Sequence, residues 1–332
     1  MLDDATWRLG LVLHDPASTI VLLGAVALVL SAGCSAAAAG VIRRMGVRQH
    51  VRLDGPETHL AKQGTPQMAG IGFGIAILLT AALSGLVVSQ QCALVLGLMA
   101  VFGLIGFIDD YLKYAKQSPY GWNARYRLPA QVVCGALFVG LTQMAMPDAA
   151  GPHPFGAYLL AVLCVVGGAN AVNFADGLDG LCAGLVAIVG AALAVCAAAL
   201  GKAGDLVALG AIVAGAAAGF LWINGPPAQA FMGDVGSMTL GAALSGLAVA
   251  MRMEVLFGVL GFVFVIEALS VILQVASFQL TGRRIFRMAP FHHHLEKCGW
   301  PEQRIVVRAW LLTVAVALGA IACLIVDFRG PN

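Results

Sequence analysis

The sequence predicts an all-α, polytopic membrane protein of about ten transmembrane helices. Of its 332 residues, 60% are hydrophobic and 11% are charged, whereas a soluble domain carries about 25% charged residues. Apolar runs long enough to cross a bilayer recur along the whole length, and a spanning helix needs about 20 such residues. Gly and Ala are abundant, as expected where membrane helices pack closely. We therefore treat residues 1–332 as one integral membrane domain.

The apolar runs divide the chain into its spans. The first run could be mistaken for a signal peptide, but it is too long and follows acidic residues, so we interpret it as a permanent span. The predicted spans are 18–41, 67–88, 92–108, 128–146, 156–174, 181–200, 205–222, 236–251, 255–278 and 305–326.

The basic residues indicate how these spans are oriented. With alternating connections, all of the 19 Lys and Arg residues except Arg8, Lys202, Arg252 and Arg329 fall on one side of the membrane. Loops rich in Lys and Arg stay in the cytoplasm. The basic side is therefore predicted to be cytoplasmic, and both termini external.

Acidic residues gather at the predicted cytoplasmic ends of different spans. They are Asp109 and Asp110 after the third span, Asp176 and Asp179 after the fifth, and Asp234 before the eighth, with Glu267 inside the ninth. Ionisable groups at membrane depth usually mark a site or a pathway. If these ends converge, two carboxylates about 5 Å apart repel by roughly 3 kcal/mol at an effective dielectric constant near 20, so the group holds protons or binds a cation. Oxygen ligands favour Mg²⁺, which commonly shares its coordination with substrate phosphates.

The stretch NAVNFADGLDGL, residues 170–181, has a polar residue at every third position. Such residues drift round a regular helix by about 60° per step, so a straight helix would not hold Asn170, Asn173, Asp176 and Asp179 on one face. Gly177 and the glycine at 180 indicate that the helix ends near Asp176. Freed backbone groups can then face a polar cleft, the setting in which broken backbone is tolerated within a membrane. Helix capping is the alternative interpretation, but a cap needs only one such residue.

The longest predicted cytoplasmic connection, residues 283–308, combines three histidines with several cations. His292, His293 and His294 are suited to bind a phosphate or a sugar. Zinc is the alternative ligand, but adjacent histidines point in different directions and no cysteine has suitable spacing. Lys62 and Lys113 lie near the acids and can neutralise phosphate charge, or they can simply be positive-inside residues.

Five separated motifs closely resemble the bacterial phospho-N-acetylmuramoyl-pentapeptide-transferase family, a branch of the polyprenyl-phosphate N-acetylhexosamine-1-phosphate transferases. The resemblance runs from about residue 51 to residue 310, and its histidine loop is similar to the muramoyl-pentapeptide branch in particular. The motifs are DGPETHLAKQGTPQMAG, GFIDDYLK, NAVNFADGLDGL, PAQAFMGDVGS and RIFRMAPFHHHLEKCGWPEQRIVVRAW.

The resemblance implies a Mg²⁺-dependent phosphoglycosyl transferase of peptidoglycan biosynthesis. Such an enzyme transfers phospho-N-acetylmuramoyl-pentapeptide from its UDP derivative to undecaprenyl phosphate and releases lipid I and UMP. It implies a multi-pass protein of the bacterial inner membrane, embedded in the lipid bilayer, with its active site facing the cytoplasm. It also implies a homodimer and no nucleic-acid partner.

The resemblance assigns roles to residues of this chain. It implies that Asp234 ligates Mg²⁺ with Asp176 beside it, and that Asp109, Asp110 and Asp176 form the catalytic centre. Positions lining the uridine pocket are Lys62, Gly177, Leu178, Asp179, Asn224 and Phe231, with Phe231 stacking on uracil. Other motif positions in or near the cleft are Lys113, Asn170, Asn173, Ser237, Glu267, His292, His293 and His294.

The sequence departs from the family pattern at two positions, and it leaves open the reaction route and two rival functions. Gln67 stands where the family commonly has Thr, and Arg127 where it has Lys, which keeps the charge but changes the geometry. The lipid phosphate attacks directly, or an aspartate attacks first and forms a covalent intermediate. A sister transferase that uses UDP-N-acetylglucosamine is the nearest rival function. A cation-coupled transporter is another, although acids at one face favour an enzyme over a pathway across the bilayer.

Overall fold

The structure is a computed structural model that describes residues 15–46, 64–118, 120–145 and 155–329. Apart from one short 3₁₀ turn, every regular element in those ranges is an α-helix, which confirms the predicted all-α class. Eight of the helices are long and apolar enough to cross a membrane. The chain is therefore a membrane-embedded, polytopic helical protein.

The described ranges contain twelve α-helices. They are α1 Pro16–Met45, α2 Gly70–Leu83, α3 Gln90–Ala115, α4 Ala124–Ala145, α5 Phe155–Phe174, α6 Leu181–Ala199, α7 Gly204–Asn224, α8 Gly233–Ala250, α9 Glu254–Leu260, α10 Phe262–Thr281, α11 Phe291–Lys297 and α12 Glu302–Arg329.

Two predicted spans differ from the observed helices. The predicted ninth span is two helices, α9 and α10, separated at Gly261. The predicted second span contains the 14-residue α2 and then the 3₁₀ turn Leu86–Val88. Uniform hydrophobicity does not reveal a break of one residue, and residues 67–69 are held outside α2 by backbone contacts to a distant loop.

Helix α8 is the centre of the bundle and is buried along almost its whole length. It packs mainly against α3 and α5, while α7 packs between α1 and α6. Glycines allow two of these close approaches: a Cβ on Gly106 of α3 would overlap the Asp234 carbonyl, and one on Gly241 of α8 would lie 2.7 Å from the Ala169 Cα. The start of α8 is therefore fixed directly against the end of α3.

Helices α10 and α12 lie at the periphery, with apolar side chains facing outward. Ile272 and Phe278 on α10, and Leu311 and Leu318 on α12, are all more than half exposed. In a polytopic membrane protein such side chains face lipid, because the bilayer core is as apolar as they are.

Candidate active site

The end of α3 and the start of α8 bring three carboxylates together. The ligand oxygens of Asp109, Asp110 and Asp234 all lie within 4.8 Å of one another. Asp109 and Asp110 are buried, while Asp234 is partly accessible. The close approach of α3 and α8 at Gly106 explains why residues so far apart in sequence meet here.

Two cations lie among these carboxylates. The Lys113 Nζ is 2.7 Å from Asp109 Oδ2, 3.0 Å from Asp234 Oδ2 and 3.7 Å from Asp110 Oδ1. The Arg127 Nη1 at the start of α4 lies 3.2 Å from Asp109 Oδ1 and 3.4 Å from Asp234 Oδ2. With three carboxylates and two cations, the cluster has an excess of negative charge when all are ionised. Sequence reasoning noted Arg127 only as a departure and did not foresee that it joins two of the acids.

Backbone N–H groups orient two of the carboxylates. The Trp122 N–H donates to Asp109 Oδ1 at 2.8 Å, and the Val235 N–H at the start of α8 donates to Asp110 Oδ2 at 3.0 Å. Gly233 precedes this turn with a left-handed backbone, φ 72°, and a Cβ there would meet the Asp110 carboxylate. Any other residue is therefore strained at position 233.

Asp176 lies just beyond α5, which ends at Phe174. Its pKa is raised to about 8, chiefly because burial disfavours the ionised carboxylate, and further because Asp234 and Asp110 are nearby negative charges. Asp176 is therefore electrostatically part of the site, although it is not among the three carboxylates that lie within 4.8 Å of one another.

The other polar residues of 170–181 contact different neighbours, as the drift round the helix implies. The Asn170 side chain donates to Gln131 Oε1 on α4 at 2.7 Å. The Asn173 side chain donates to the Ser237 hydroxyl on α8 at 2.9 Å. Asn170 and Asn173 thus join α5 to the two helices that carry Arg127 and Asp234.

The turn after Asp176 is bonded to the loop between α7 and α8. Asn224 Oδ1 accepts from the Gly180 N–H at 3.1 Å, and its Nδ2 donates to the Ala230 carbonyl at 3.1 Å. Asp179 Oδ2 accepts from the Ala228 N–H at 2.9 Å. The predicted uridine-pocket positions Asp179 and Asn224 therefore belong to one hydrogen-bonded wall.

Two more of the predicted pocket positions can be located. Leu178 is buried in this turn, and Phe231 is partly buried. The Asp179 N–H donates to Glu302 Oε1 at 2.7 Å. The sequence did not predict this contact, because nothing near Glu302 indicates that its side chain faces the site. Lys62 lies outside the described residues.

Glu267 and His292 form a buried unit that contacts the same turn. Glu267 Oε2 on α10 lies 3.1 Å from His292 Nδ1 and accepts from the His292 backbone N–H at 3.2 Å. The opposite edge of this fully buried imidazole packs against Gly177, where an added Cβ would overlap the His292 Nε2 atom. The unit therefore connects α10, α11 and the residue that follows Asp176.

The other two histidines face different surroundings. His293 Nδ1 lies 2.7 Å from Glu296 Oε2, whereas His294 Nδ1 accepts from the Arg287 N–H at 3.2 Å. The three consecutive histidines thus have three different partners, Glu267, Glu296 and the Arg287 N–H.

A comparison with known families gives one match over this region. The model of Glycosyl transferase family 4 matches residues 92–252, from α3 through α8. The matched range contains Asp109, Asp110, Asp176 and Asp234, and the match supports a phosphosugar transferase of the polyprenyl-phosphate hexosamine-1-phosphate superfamily. The histidine loop lies beyond it.

Proposed function

We propose that the chain transfers phospho-N-acetylmuramoyl-pentapeptide from its UDP derivative to undecaprenyl phosphate, giving lipid I and UMP. The observation that carries this proposal is the convergence of three carboxylates, within 4.8 Å of one another, with Lys113 and Arg127. The family match supports the reaction class, and the resemblance of the histidine loop supports this substrate. The Lys and Arg distribution supports a site that faces the cytoplasm, and the resemblance supports a bacterial inner membrane. We also propose that the protein forms a homodimer.

The acids fit a hard divalent cation. Three carboxylates with two cations leave an excess of negative charge, and carboxylate oxygens suit Mg²⁺. Asp234 is the proposed ligand because it is the most accessible of the three, with Asp176 beside it. When bound there, Mg²⁺ would neutralise charge that develops on the leaving UMP.

The residues of the chain supply positioning and electrostatics, which carry most of the catalysis in phosphoryl transfer. In the direct route, Asp109 takes a proton from the lipid phosphate, whose oxygen attacks the β-phosphorus of the sugar nucleotide. The bond from that phosphorus to the oxygen of UMP breaks, and UMP leaves. Lys113 and Arg127 offset the phosphate charge. In the alternative route an aspartate makes the first attack, and the lipid phosphate then displaces it.

The decisive experiment measures UMP release by purified protein given UDP-N-acetylmuramoyl-pentapeptide, undecaprenyl phosphate and Mg²⁺. We expect turnover that requires all three. UDP-N-acetylglucosamine in place of the pentapeptide nucleotide tests the sister activity, and preference for it would overturn the proposed substrate. A sugar-phosphate adduct on the protein when lipid phosphate is omitted would rule out the direct route.

Asp234→Ala tests the metal assignment. We expect turnover to be abolished, because the most accessible carboxylate of the cluster is lost. Asp205→Ala is the matched control, since Asp205 lies in the first turn of α7 and Asn224 of the site lies at the other end of that helix. Near-normal activity of Asp234→Ala at saturating Mg²⁺ would contradict the assignment.

A further inference from the structure

Gln67 lies in the segment that leads into α2, and backbone bonds fix this segment against the loop before α8. The Phe231 N–H donates to the Pro66 carbonyl at 2.9 Å, and the Ala69 N–H donates to the Phe231 carbonyl at 2.9 Å. Between them Met68 is buried and has a left-handed backbone, φ 73°. The direction in which the Gln67 side chain leaves the backbone is therefore set by its neighbours on both sides.

The side chain reaches one of the three clustered acids. Gln67 Nε2 donates to Asp110 Oδ1 at 3.0 Å, while the Val235 N–H donates to Asp110 Oδ2 at 3.0 Å. Both oxygens of Asp110 thus have a neutral donor, one from each side of the carboxylate.

The partners of the other two acids differ in kind. The Lys113 ammonium lies 2.7 Å from Asp109 and 3.0 Å from Asp234, but 3.7 Å from Asp110. Cationic side chains can exchange one anion for another, such as a phosphate, whereas both donors on Asp110 are neutral. Asp109 also accepts from the Trp122 N–H on Oδ1, but its Oδ2 faces the Lys113 ammonium. Asp110 therefore has a neutral donor on each oxygen, whereas Asp109 and Asp234 each have the Lys113 ammonium within 3.0 Å.

We propose that Gln67 is a positioning residue that fixes the plane of the Asp110 carboxylate. It thereby keeps Asp110 from competing with Asp109 and Asp234 for the Lys113 ammonium. This inference rests on the proposed function. It gives Gln67 a role that does not require contact with the substrate. Without the amide donor, the Asp110 carboxylate rotates towards Lys113 and competes with the other acids for it.

Gln67→Met tests the proposal, because methionine has nearly the same length and cannot donate. We expect kcat to fall about tenfold, the usual effect of one hydrogen bond to a charged group. The KM for the sugar nucleotide stays unchanged, since Gln67 contacts Asp110 and not the substrate. Gln67→Glu keeps the size but adds a carboxylate beside Asp110, and we expect kcat to fall further than in Gln67→Met because the two carboxylates repel each other. Gln90→Met, at the exposed far end of α3, is the control and keeps the full rate.

The outcomes distinguish failure of the proposed role of Gln67 from failure of the proposed transferase function. A raised KM with unchanged kcat would mean that Gln67 binds substrate directly, and an unchanged kcat in both variants would mean that it does nothing for Asp110. Each of these overturns the inference while wild-type turnover leaves the proposed function intact. If the wild type releases no UMP, the proposed function itself has failed.

Discussion

Gly106 lies on α3 where this helix crosses the first turn of α8, three residues before Asp109. A Cβ at this position would overlap the Asp234 carbonyl oxygen and lie 2.5 Å from the Asp234 carbonyl carbon. Ordinary contacts begin at 3.4 Å, so the helices must separate by 3.4 − 2.5 = 0.9 Å to clear that carbon. The obstacle is backbone, which cannot turn away as a side chain can.

Gly106→Ala is therefore expected to separate Asp109 and Asp110 from Asp234. Overpacking of this kind costs about 1–3 kcal/mol in stability. A displacement close to 1 Å at a catalytic centre costs on the order of a hundredfold in rate. We expect both a lower melting temperature and a kcat for UMP release reduced by that factor.

Gly97→Ala is the matched control because it lies on the same helix with no other atom within 4 Å of an added Cβ. Alanine in a helix is favoured over glycine by about 0.5–1 kcal/mol, so the control keeps its activity and melts no lower than wild type. The reasoning is refuted if Gly106→Ala matches Gly97→Ala in both melting temperature and kcat.

Two further predictions concern the turn after α5. Gly177→Ala should lower turnover and stability, because its Cβ would overlap the buried His292 imidazole. Gly167→Ala on α5 is the control and should lower neither, because an added Cβ there has no other atom within 4 Å. Equal rates of UMP release by the two variants would count against the contact. The Asp176 pKa of about 8 means that the folded, metal-free protein holds a proton that the unfolded chain releases near pH 4. Its contribution to stability therefore declines as pH rises from about 4 to 8. Metal affinity, measured by titration calorimetry, should increase up to about tenfold per pH unit below 8 with release of a proton, and a flat profile from pH 6 to 8 would contradict this.

The sequence was sufficient for the helical class and for a set of six acids that includes the three clustered ones. Hydrophobic runs determine which segments enter the bilayer, and costly carboxylates at membrane depth are conspicuous in such a composition. Asp109, Asp110 and Asp234 are therefore conspicuous in the sequence, but so are Asp176, Asp179 and Glu267, which do not belong to the cluster of three.

The partners of these acids were less visible. Gln67 and Glu302 have no local pattern that directs them towards Asp110 or the Asp179 backbone, since those contacts depend on how distant loops meet. The break at Gly261 was missed because both sides of it are equally apolar. Long-range backbone contacts of this kind are settled by tertiary packing, which a pattern along the chain does not report.

Lys113 follows Asp109 by four residues on α3, and the two form an ion pair at 2.7 Å. Because both partners belong to the same helix, the Lys113 charge can neutralise the Asp109 charge as soon as α3 has been synthesised. Asp234 emerges from the ribosome only after four more helices, α4 to α7, have followed. The pairing thus gives the third span a tolerable charge for entry into the membrane long before the rest of the acid cluster exists.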